Sequence, residues 1–487
     1  MPRANESDTS ERLNQVLTVA QMREAEAALI NAGTSVDTLM QTAGRGAGEW
    51  VRRLAAGRPI TVLCGPGNNG GDGYVIAQHL IEHGNPVQVV SALEPATDAA
   101  RKVRGLYRGP VLAGDALLHA LQQAEGDRVL VDCLFGSGLT RALPEEVARQ
   151  LGALAAGHKH RIAIDLPSGI ESDSGATLNP DLPKYNVTIA LGAWKFAHLA
   201  QPAAAAMGML KLVDIGVVPV PGAARVLARP QIEAPPVNAH KYTRGLVAVI
   251  GGAMPGAPLL SAEAAMRAGA GYVKLLAPQR VEGLPPDLVF MPVLDAGAML
   301  RELADRRTSA VLIGPGQGRD ERARTRLAAL LASRLPAVID ADALMLLSPG
   351  LLPRRLGGLI LTPHDGEMAA LENRFGLPGD PTRPERARAL AQLVQAVVVF
   401  KGPQSIIAAP NGTVLIAPSA PSWLSVAGSG DVLAGIMVAR LAVTCNTLRA
   451  AQEALWLHGE AARLAGPAFT ASQLVDAVRS AMASGLA

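Results

Sequence analysis

The chain has 487 residues, of which 18% are charged and 3% aromatic, and its formal net charge is +3 at pH 7. This composition excludes a basic surface interleaved with stacking rings, the pattern that binds nucleic acid polymers, so we expect small-molecule ligands. The length exceeds the usual ~100 to 200 residues of one domain and predicts two domains.

No targeting or membrane-spanning pattern is visible in the chain. The polar residues 1–12 lead into no apolar stretch, and no segment reaches the ~20 uninterrupted apolar residues of a membrane span. Cys64, Cys133 and Cys445 each lie in an apolar run without a CxxC pair, which predicts buried thiols in a reducing compartment. We therefore expect a cytoplasmic protein with no membrane or nucleic acid partner, and we expect a homo-oligomer.

The first half of the chain alternates between short apolar runs and stretches of helical length. Thr18, with Gln21 three residues later, predicts a capping box at the start of the first helix. The apolar runs that follow are near-continuous in Val, Ile and Leu, which is typical of strands buried on both faces of a parallel sheet. They predict six strands, at residues 60–64, 87–90, 128–133, 161–166, 186–191 and 210–214.

A proline-rich segment separates the two halves. Five prolines lie between Pro219 and Pro236 without clear periodicity, so we predict a linker there, with domains of residues 1–218 and 219–487. The alternation then restarts and indicates a second α/β domain. Its predicted strands lie at residues 246–250, 272–276, 310–313, 337–340, 359–361 and 397–400.

Two local patterns in the second half give more detailed predictions. Asn411-Gly412 between two apolar runs predicts a β-hairpin with a type I′ turn, because that turn needs positive φ angles. The arginine-rich stretches 319–326 and 383–388 have helical spacing with acidic residues interspersed. This spacing favours solvated helix faces over an anion site.

The motif GPGNNGGDG, residues 65–73, follows the first predicted strand. It satisfies the GxGxxG pattern of dinucleotide-binding folds, but the next strand is followed by Ser91 rather than by an acidic residue. A hydride-transfer enzyme is therefore disfavoured. Asn68, Asn69 and Asp72 among the glycines instead predict a tight loop that offers backbone donors and fixed side-chain oxygens.

Two aspartates, Asp132 and Asp165, end predicted strands of the same half. Because the carboxyl ends of parallel strands meet at one edge of a sheet, both should lie close to Asn69. Asn69, Asp132 and Ser168 would then offer oxygen ligands, which suit a hard cation and not zinc. Gly136-Ser137-Gly138 would wrap a phosphate with backbone N–H groups. Taken alone, each aspartate is equally consistent with capping a helix or a turn.

A second glycine-rich motif, GSGD at residues 428–431, precedes a predicted helix. Backbone N–H groups and the helix dipole would face an anion there. The helix end should keep Asp431 ionised, so that it accepts a proton from a substrate hydroxyl. A simple N-cap role for Asp431 is an equal alternative from these four residues alone.

Four motifs of the first half, GNNGGDGYV, VDCLFGSGL, AIDLPSGI and GAWK, occur in an order that resembles the N-terminal epimerase domain of the bifunctional NAD(P)H-hydrate repair enzymes. The resemblance covers nearly all of residues 15–217 and implies a Rossmann-like doubly wound domain. It implies a potassium ion bound by Asn69, Asp132 and Ser168, and an acid/base role for Asp165. The residues implied to contact the hydrated nicotinamide nucleotide are Asn68, Asn69, Gly70, Gly71, Asp72, Gly136, Ser137, Gly138, Leu139, Thr140, Arg141, Ala142 and Asp165.

The second half carries HKYTRG, GGAMPGAP, RAGAGYV, GPGQG, DADAL, TPHDGE and KGPQS ahead of GSGD. This series resembles the ribokinase-like α/β dehydratase domain of the same enzymes, over about residues 225–485. It implies that Ala257, Gly316, His364 and Asp431 bind the hydrate and that Asp431 is catalytic. ADP or ATP with magnesium is implied as the second ligand, and the residues implied to bind the nucleotide are Lys401, Gly402, Pro403, Gln404, Ser405 and Gly430.

Several charged residues keep alternatives open at this stage. Lys195, at the end of GAWK, is as consistent with a solvated lysine as with a ligand contact. Asp340 and Asp342 are consistent with helix caps, and Glu367 with a surface charge. The proline before His364 and the Asp-Gly after it favour an exposed loop.

The resemblance implies one repair function shared by two domains. The first domain would interconvert the R and S hydrates of NADH and NADPH. The second would dehydrate the S epimer with ADP or ATP, regenerating NAD(P)H and releasing AMP or ADP and phosphate. Two other classes stay open: a ribokinase-class kinase that uses the GSGD base on another small molecule, and a binding module whose N-terminal domain senses a nucleotide or partner. The presence of both Asp132 and Asp165 favours catalysis.

Overall fold

The computed structural model describes residues 12–113, 127–352, 358–379 and 382–486. The chain divides into two compact units, Met1–Arg225 and Val226–Ala487, and the division falls inside the proline-rich segment. Each unit has a central, mostly parallel sheet with helices, so the predicted α/β fold class is confirmed. Among the described residues, none of the helices is long and apolar enough to cross a membrane.

The first unit is built on a parallel sheet of seven strands. All six predicted runs are strands of this sheet. Neighbouring residues of one strand point to opposite faces, and both faces are covered: Val62 is buried in one apolar cluster and Leu63 in another. Burial on both faces explains why the runs are almost continuously apolar. In spatial order the strands are β4 (Val111–Leu112), β3 (Val87–Ser91), β2 (Ile60–Cys64), β5 (Val129–Cys133), β6 (His160–Ile164), β7 (Val187–Leu191) and β9 (Met209–Val213).

Five helices and a small second group of strands complete the described part of this unit. The predicted capping box is present, because Gln21 N donates to Thr18 Oγ1 at 3.2 Å and Thr18 N donates to Gln21 Oε1 at 3.0 Å. The helices are α1 (Val19–Asn31), α2 (Val36–Ala55), α3 (Asn68–Glu82), α4 (Asp98–Leu106) and α5 (Glu145–Gly157). Strand β1 (Gln15–Leu17) pairs in parallel with β8 (Trp194–Lys195) and antiparallel with β10 (Ala224–Val226), which lies inside the segment predicted to be an unstructured linker.

The second unit has its own sheet, parallel through seven strands and antiparallel at one edge. In spatial order the strands are β13 (Val289–Pro292), β12 (Tyr272–Ala277), β11 (Leu246–Ile250), β14 (Thr308–Ile313), β15 (Ala337–Ile339), β16 (Leu359–Leu361), β17 (Val397–Phe400), β18 (Ile406–Ala408) and β19 (Val414–Ile416). The described helices are α6 (Gly256–Arg267), α7 (Ala296–Leu303), α8 (Glu321–Ser333), α9 (Ala341–Leu346), α10 (Asp365–Phe375), α11 (Arg383–Val394), α12 (Ser429–Thr444), α13 (Thr447–Ala465) and α14 (Ala471–Gly485).

The predicted hairpin is present as β18 and β19, but its turn is not type I′. Gly412 N donates to Ala409 O at 3.0 Å, and Gly412 has φ +89° while Asn411 is not in the positive-φ region. This hydrogen bond closes a turn whose central residues are Pro410 and Asn411, one position earlier than predicted, and the Pro410 ring fixes a negative φ at a central position where a type I′ turn needs a positive one. The turn is therefore closed by one left-handed glycine.

The solvated-face prediction holds for Arg319, Arg322 and Arg324, which are exposed, and is wrong for Arg326 and Arg386. Arg326 is 6% exposed and donates to the carbonyl of Gly251 at 3.2 Å, and Arg386 forms a two-point ion pair with the buried Glu372. These arginines hold helices against the rest of the unit, so helical spacing alone did not distinguish them from solvated ones. Conversely, Cys445 is exposed, because it lies at the left-handed C-cap of α12 and not within an apolar element.

Candidate active sites

The first glycine-rich motif lies at a helix N-terminus, as expected from its place after a strand, but the helix begins inside the motif, so Asn68, Asn69 and Asp72 lie in its first turns and not in a separate tight loop. Strand β2 ends at Cys64, Gly67 is the N-cap, and α3 begins at Asn68. A Cβ atom on Gly70 would lie 1.9 Å from the carbonyl oxygen of Gly65. Only glycine therefore lets the helix start this close to the preceding strand, so close packing explains the motif better than turn geometry does.

The start of α3 meets the loops after β5 and β6 where the strand order reverses, between β2 and β5. A Cβ atom on Gly136 would lie 2.8 Å from Oδ2 of Asp165 and 3.3 Å from Cγ of Asn69. The predicted convergence of Asn69 with a strand-end aspartate is thus present. In doubly wound sheets, this crevice outside the carboxyl ends of the strands is where ligands bind.

Asp132 lies at the end of β5, fully buried, and accepts four hydrogen bonds. Ser168 donates its Oγ to Oδ1 at 2.8 Å and its N–H to Oδ2 at 3.1 Å, and Leu134 N donates to Oδ1 at 3.1 Å. The hydroxyl of Tyr185 donates to Oδ2 at 2.5 Å. Burial raises the pKa of Asp132, although these donors act against the rise. Tyr185 was not predicted, because a single tyrosine just before a strand carries no sequence signal.

Asn69 contributes a buried oxygen to the same crevice. Its Nδ2 donates to the carbonyl of Ile164 at 3.3 Å, whereas Oδ1 accepts no hydrogen bond within the described chain. Buried polar atoms are nearly always paired, so an oxygen without a donor points to a further ligand. With the Ser168 hydroxyl and the Asp132 carboxylate, the oxygen donor set fits a hard cation.

Asp165 follows β6 at the same edge of the sheet and forms an ion pair with Lys195. Nζ of Lys195 donates to Oδ1 of Asp165 at 2.6 Å and to the carbonyl of Leu191 at 2.6 Å, and Ser137 N donates to Oδ2 at 2.9 Å. The side chain of Lys195 is 1% exposed, so the solvated-lysine alternative is wrong. Both carboxylate oxygens are fixed, and the lysine is aimed at one of them.

The carboxyl groups around Lys195 differ in the direction of their pKa shifts from the usual values: that of Asp165 is lowered, and those of Asp72 and Glu26 are raised. Burial alone would raise the pKa of Asp165, but the Lys195 ammonium and the hydrogen bonds lower it below its usual value. Burial, reinforced by the charges of Asp165 and Glu26, raises the pKa of Asp72 well above its usual value. Burial also raises the pKa of Glu26 on α1. A carboxyl group with a lowered pKa beside carboxyl groups with raised pKa values is the pattern of an acid/base site. Glu26 was not predicted, because it lies on a helix with no motif.

The predicted contact loop, residues 136–142, has one buried member. Leu139 belongs to an apolar cluster of the unit, so only its backbone is available to a ligand. Asn68, at the start of α3, is exposed and accepts a hydrogen bond from Thr97 Oγ1 at 3.0 Å. The loop residues that are exposed to solvent are Gly138, Thr140, Arg141 and Ala142.

In the second unit, the GSGD motif forms the start of α12. Gly428 is the N-cap with φ +91°, and no side chain caps this helix, so the N-cap alternative for Asp431 is wrong. Ser429 Oγ donates to the carbonyl of Leu424 at 2.8 Å, which fixes the chain ahead of the helix. Ser429 N donates to the carbonyl of Val426 at 3.3 Å, so in this described turn the backbone N–H groups of Gly430 and Asp431 are the ones available for an anion.

Asp431 lies in the first turn of α12 with a pKa raised to about 6. Burial is the largest cause, the charge of Asp340 adds to it, and the Lys401 ammonium acts against it. We expected the helix end to hold this carboxyl ionised, and burial opposes that effect. The carboxylate still predominates at pH 7, where a pKa near the working pH suits a general base.

Lys401 is the first residue of the predicted nucleotide loop, and its ammonium group lies near the start of α12. Its Nζ donates to Oδ1 of Asp340 at 2.7 Å and is 3.9 Å from Oε2 of Glu367. A Cβ atom on Gly430 would lie 3.7 Å from the same Nζ. Burial alone would lower the pKa of Lys401, but Asp340 and Glu367 raise it above its usual value. The tertiary structure thus brings KGPQS and GSGD together around one ammonium.

The two aspartates of DADAL do not cap α9. Asp340 is 1% exposed and accepts from Thr362 Oγ1 at 2.6 Å as well as from Lys401. Asp342 accepts from Gly318 N at 3.0 Å and from Arg319 Nε at 2.7 Å, which holds the GPGQG loop. Asp340 therefore belongs to the site, and Asp342 supports a neighbouring loop.

Three of the four predicted hydrate contacts, Ala257, Gly316 and Asp431, lie on segments that touch their neighbours closely. A Cβ atom on Gly316 would lie 2.2 Å from the carbonyl oxygen of Met254, so GPGQG packs directly on GGAMPGAP. Ser261 Oγ lies within hydrogen-bond distance of the carbonyls of Ala257, at 3.2 Å, and Asp431, at 2.8 Å. This hydroxyl joins α6 to α12 beside the base.

His364 is the N-cap of α10, and its side chain is exposed, as its flanking residues predicted. Its side chain is 59% exposed, and Nδ1 accepts from Gly366 N at 3.0 Å and Glu367 N at 3.3 Å. Glu367 is 7% exposed and accepts from His364 N at 2.8 Å. The surface-charge alternative for Glu367 is therefore wrong, because its carboxylate closes a capping box and faces Lys401.

Arg383, which we predicted to lie on a solvated helix face, instead contacts the loop that begins at Lys401. Its Nη2 donates to the carbonyl of Lys401 at 2.9 Å, its guanidinium lies 3.7 Å from the ring centroid of Phe400, and it pairs with Asp365. A Cβ atom on Gly402 would lie 2.5 Å from Nη2. Arg383 therefore fixes the start of the KGPQS loop.

Fold and sites together define a two-site α/β enzyme that acts on nucleotide-like small molecules. A family model described as NAD(P)H-hydrate dehydratase matches residues 247–482, and one described as YjeF-related protein N-terminus matches residues 36–197. A bifunctional NAD(P)H-hydrate repair enzyme from Moorella thermoacetica is 34% identical over 90% of this chain and 91% of its own. A bifunctional NAD(P)H-hydrate repair enzyme from Coxiella burnetii is 33% identical, and the match covers 91% of this chain and 93% of the Coxiella enzyme.

The chain belongs to the family of bifunctional NAD(P)H-hydrate repair enzymes. The resemblance inferred from motif order is thereby confirmed, as is the prediction of an enzyme with two activities. Among solved structures, an ADP/ATP-dependent NAD(P)H-hydrate dehydratase from Bacillus subtilis, co-crystallised with ATP and magnesium, is 28% identical, with a TM-score of 0.45. The match covers 52% of this chain and 95% of the Bacillus subtilis chain.

Proposed function

We propose that residues 1–218 epimerise the R and S hydrates of NADH and NADPH, and that residues 219–487 dehydrate the S epimer with ADP or ATP. The observation that carries the proposal is the presence of two separate acid/base sites. Asp165 is paired with Lys195 in the first unit, and Asp431 lies beside Lys401 in the second. Family membership supports the same division.

In the first site, Asp165 would act at the carbon that bears the hydroxyl group. Epimerisation must break one bond to that carbon and re-form it on the opposite face, so one group takes a proton as the bond breaks and another returns a proton as it re-forms. Asp165, kept ionised by Lys195, suits the first role, and the buried carboxyl of Asp72 suits the second. The start of α3 and the loop 136–142 would hold the nucleotide phosphates by backbone N–H groups.

In the second site, Asp431 would remove the proton of the hydrate hydroxyl while that oxygen attacks the terminal phosphoryl group of ADP or ATP. AMP or ADP leaves, and the hydroxyl has become a phosphate ester. Loss of phosphate from the ring carbon, with loss of a ring proton, then regenerates NAD(P)H. The amides at the start of α12 and the Lys401 ammonium stabilise charge on the transferring group.

Cations complete the proposal for both sites. Potassium would be held by Asn69, Asp132 and Ser168, a fit supported by the buried Oδ1 of Asn69 that accepts no hydrogen bond within the described chain. Magnesium would accompany the nucleotide phosphates, and Asp340 and Glu367 are the carboxylates beside the nucleotide loop. These ions supply positive charge that balances phosphates. We further propose a cytoplasmic location and a homo-oligomer.

Recovery of reduced-nicotinamide absorbance from a mixture of both hydrate epimers tests the division. With ADP or ATP, magnesium and potassium, we expect complete recovery, faster than spontaneous epimerisation. Asp165→Asn should stall recovery with the R epimer left, and Asp431→Asn should stop dehydration while the epimers still interconvert. Equal loss of both activities in either variant contradicts the assignment. A stable phosphorylated product without NAD(P)H would instead indicate the kinase alternative.

A further inference from the structure

The backbone of Asp165 is held in an unusual conformation. Its φ is +64°, in the left-handed region that residues other than glycine rarely adopt. The N–H of Leu166 donates to the carbonyl of Ile164 at 2.9 Å, so Asp165 is the central residue of a three-residue γ-turn. Such strain persists only where the surroundings fix it, and it is frequent at active sites.

Two hydrogen bonds fix both peptide groups of this turn. The N–H of Asp165 donates to the carbonyl of Ile189 on β7 at 2.7 Å. The carbonyl of Asp165 lies 2.6 Å from Nε2 of His198. His198 is 1% exposed, so no solvent competes for this bond. The imidazole is therefore the side chain that determines where the carbonyl of Asp165 points.

The contacts of His198 determine which ring nitrogen carries the proton. The backbone N–H of Lys195 lies 2.9 Å from Nδ1 and can only donate, so Nδ1 is the acceptor. Nε2 must then carry the proton that it donates to Asp165. Burial, with the charge of Lys195, lowers the pKa of His198 to about 4. A ring that stays neutral at working pH is suited to hold a group in place and not to transfer protons.

The imidazole is itself held in place by its neighbours. Trp194 packs edge-on against it, with ring centroids 5.7 Å apart and planes at 79°. The indole N–H of Trp194 donates to the carbonyl of Leu13 at 3.0 Å. Strand β8 and the 3-10 turn Phe196–His198 thus form one rigid segment. This segment supplies Lys195 to the carboxylate of Asp165 and His198 to its carbonyl.

We propose that His198 is a positioning residue for epimerisation, which fixes the left-handed backbone of Asp165 and so aims its carboxylate at Lys195 and the amide of Ser137. Without the Nε2–H donor, the turn would relax to a negative φ, which moves Cβ and carries the carboxylate away from both partners. The hydrate would still bind through the phosphate loops. This role rests on the proposed acid/base function of Asp165.

The test compares His198→Gln, His198→Asn and His198→Ala in the full-length chain. Glutamine places an N–H near the position of Nε2, whereas asparagine places its amide near Nδ1, and alanine keeps neither. We expect kcat for R-to-S interconversion, followed chromatographically without nucleotide, to fall about 10²-fold for Asn and Ala. The kcat of the His198→Gln variant should stay within about tenfold of that of the unchanged chain. KM for the hydrate should change little in all three variants.

Two controls separate positioning from loss of structure. Dehydration of the S hydrate by the second unit of the same polypeptide should be unchanged, and thermal unfolding should be similar for the Gln and Asn variants. Adding His198→Ala to Asp165→Asn should cost nothing further, because both act through one carboxylate. Equal kcat for the Gln and Asn variants, or an additive double variant, overturns the proposal. Full epimerase activity in Asp165→Asn alone would instead overturn the proposed role of Asp165.

Discussion

Lys401 and Asp340 form a partly buried ion pair, in which Nζ of the lysine donates to Oδ1 of the aspartate at 2.7 Å. The pair lies beside α12, whose first turn carries Asp431. The two charges act on Asp431 in opposite directions, since Asp340 raises its pKa and Lys401 lowers it. Burial is the largest cause of the raised pKa of Asp431, and these two residues, far from it in sequence, adjust that pKa further.

Replacing Lys401 tests this ammonium as a ligand of the transferring phosphoryl group. Lys401→Met should lower kcat/KM for dehydration by roughly 10²-fold, because it removes a fixed positive charge from the transition state. Epimerisation should be unchanged. Lys274→Met is the matched control, because the Lys274 ammonium also lies near carboxylates, at 3.4 Å from Glu302 and 3.8 Å from Asp305, and neither belongs to the proposed site. Equal loss in both variants would argue for a structural role.

The raised pKa of Asp431 predicts a pH dependence of dehydration. The base is active when ionised, so kcat/KM should fall about tenfold per pH unit below a pKa of about 6. Lys401→Met should move this limb to higher pH, since the ammonium lowers the pKa. In the same chain, the lowered pKa of Asp165 should leave epimerisation active at a lower pH. Rate profiles from pH 5 to 8 for both activities check this, and coincident limbs would contradict it.

The glycines at the start of α3 are predicted to be required by packing. Gly70→Ala would place a Cβ atom 1.9 Å from a backbone oxygen, so we expect a loss of about 1–3 kcal/mol in unfolding free energy and a large loss of epimerisation. The control is Gly152→Ala on α5, where a Cβ atom meets nothing within 4 Å. That variant should be neutral or stabilising by up to ~1 kcal/mol. Denaturant unfolding of both variants gives the comparison.

Asn69→Leu tests the proposed cation site with a side chain of similar shape that lacks the buried Oδ1. Epimerisation should require roughly 10- to 100-fold more potassium chloride, at constant ionic strength maintained with choline chloride. Thermal stabilisation of the first unit by potassium should weaken in parallel. An unchanged potassium response in both measurements would exclude Asn69 as a ligand. Dehydration is the internal control on the same chain.

The second unit contains a buried ion pair whose loss should destabilise it. Arg440 Nε donates to Glu453 Oε2 at 2.6 Å, and the side chains are 4% and 1% exposed. Glu453→Gln leaves a buried guanidinium without its counter-charge, so we expect a loss of about 3–5 kcal/mol in unfolding free energy. Glu460→Gln on the same helix, whose partner Arg463 is 63% exposed, should cost at most about 1 kcal/mol. Similar losses of unfolding free energy in the two variants would show that burial does not determine how much each ion pair stabilises the unit.

The sequence predicted the central buried strands of both sheets correctly because burial leaves a local pattern, whereas the short strands β1, β4, β8, β10 and β13 were not predicted. A run such as Ile60–Cys64 is buried on both faces, and that burial leaves a continuous apolar pattern whatever the rest of the chain does. Capping at Thr18 also depends on residues only three positions apart. The turn at Pro410 was mispredicted even though it is local, because the rule for Asn-Gly was applied without the ring constraint of the preceding proline.

What the sequence alone determined was the fold class, the family and the identity of residues that carry motifs. Only the tertiary structure decided that Lys195 faces Asp165, that Tyr185 and Ser168 share Asp132, and that Asp340 pairs with Lys401 instead of capping a helix. These contacts join residues separated by tens of positions, and the pKa of each carboxyl depends on burial and on charges brought close by folding. The physical reason is that a local pattern records backbone preference and burial, whereas electrostatics depends on distances that only the packed chain defines.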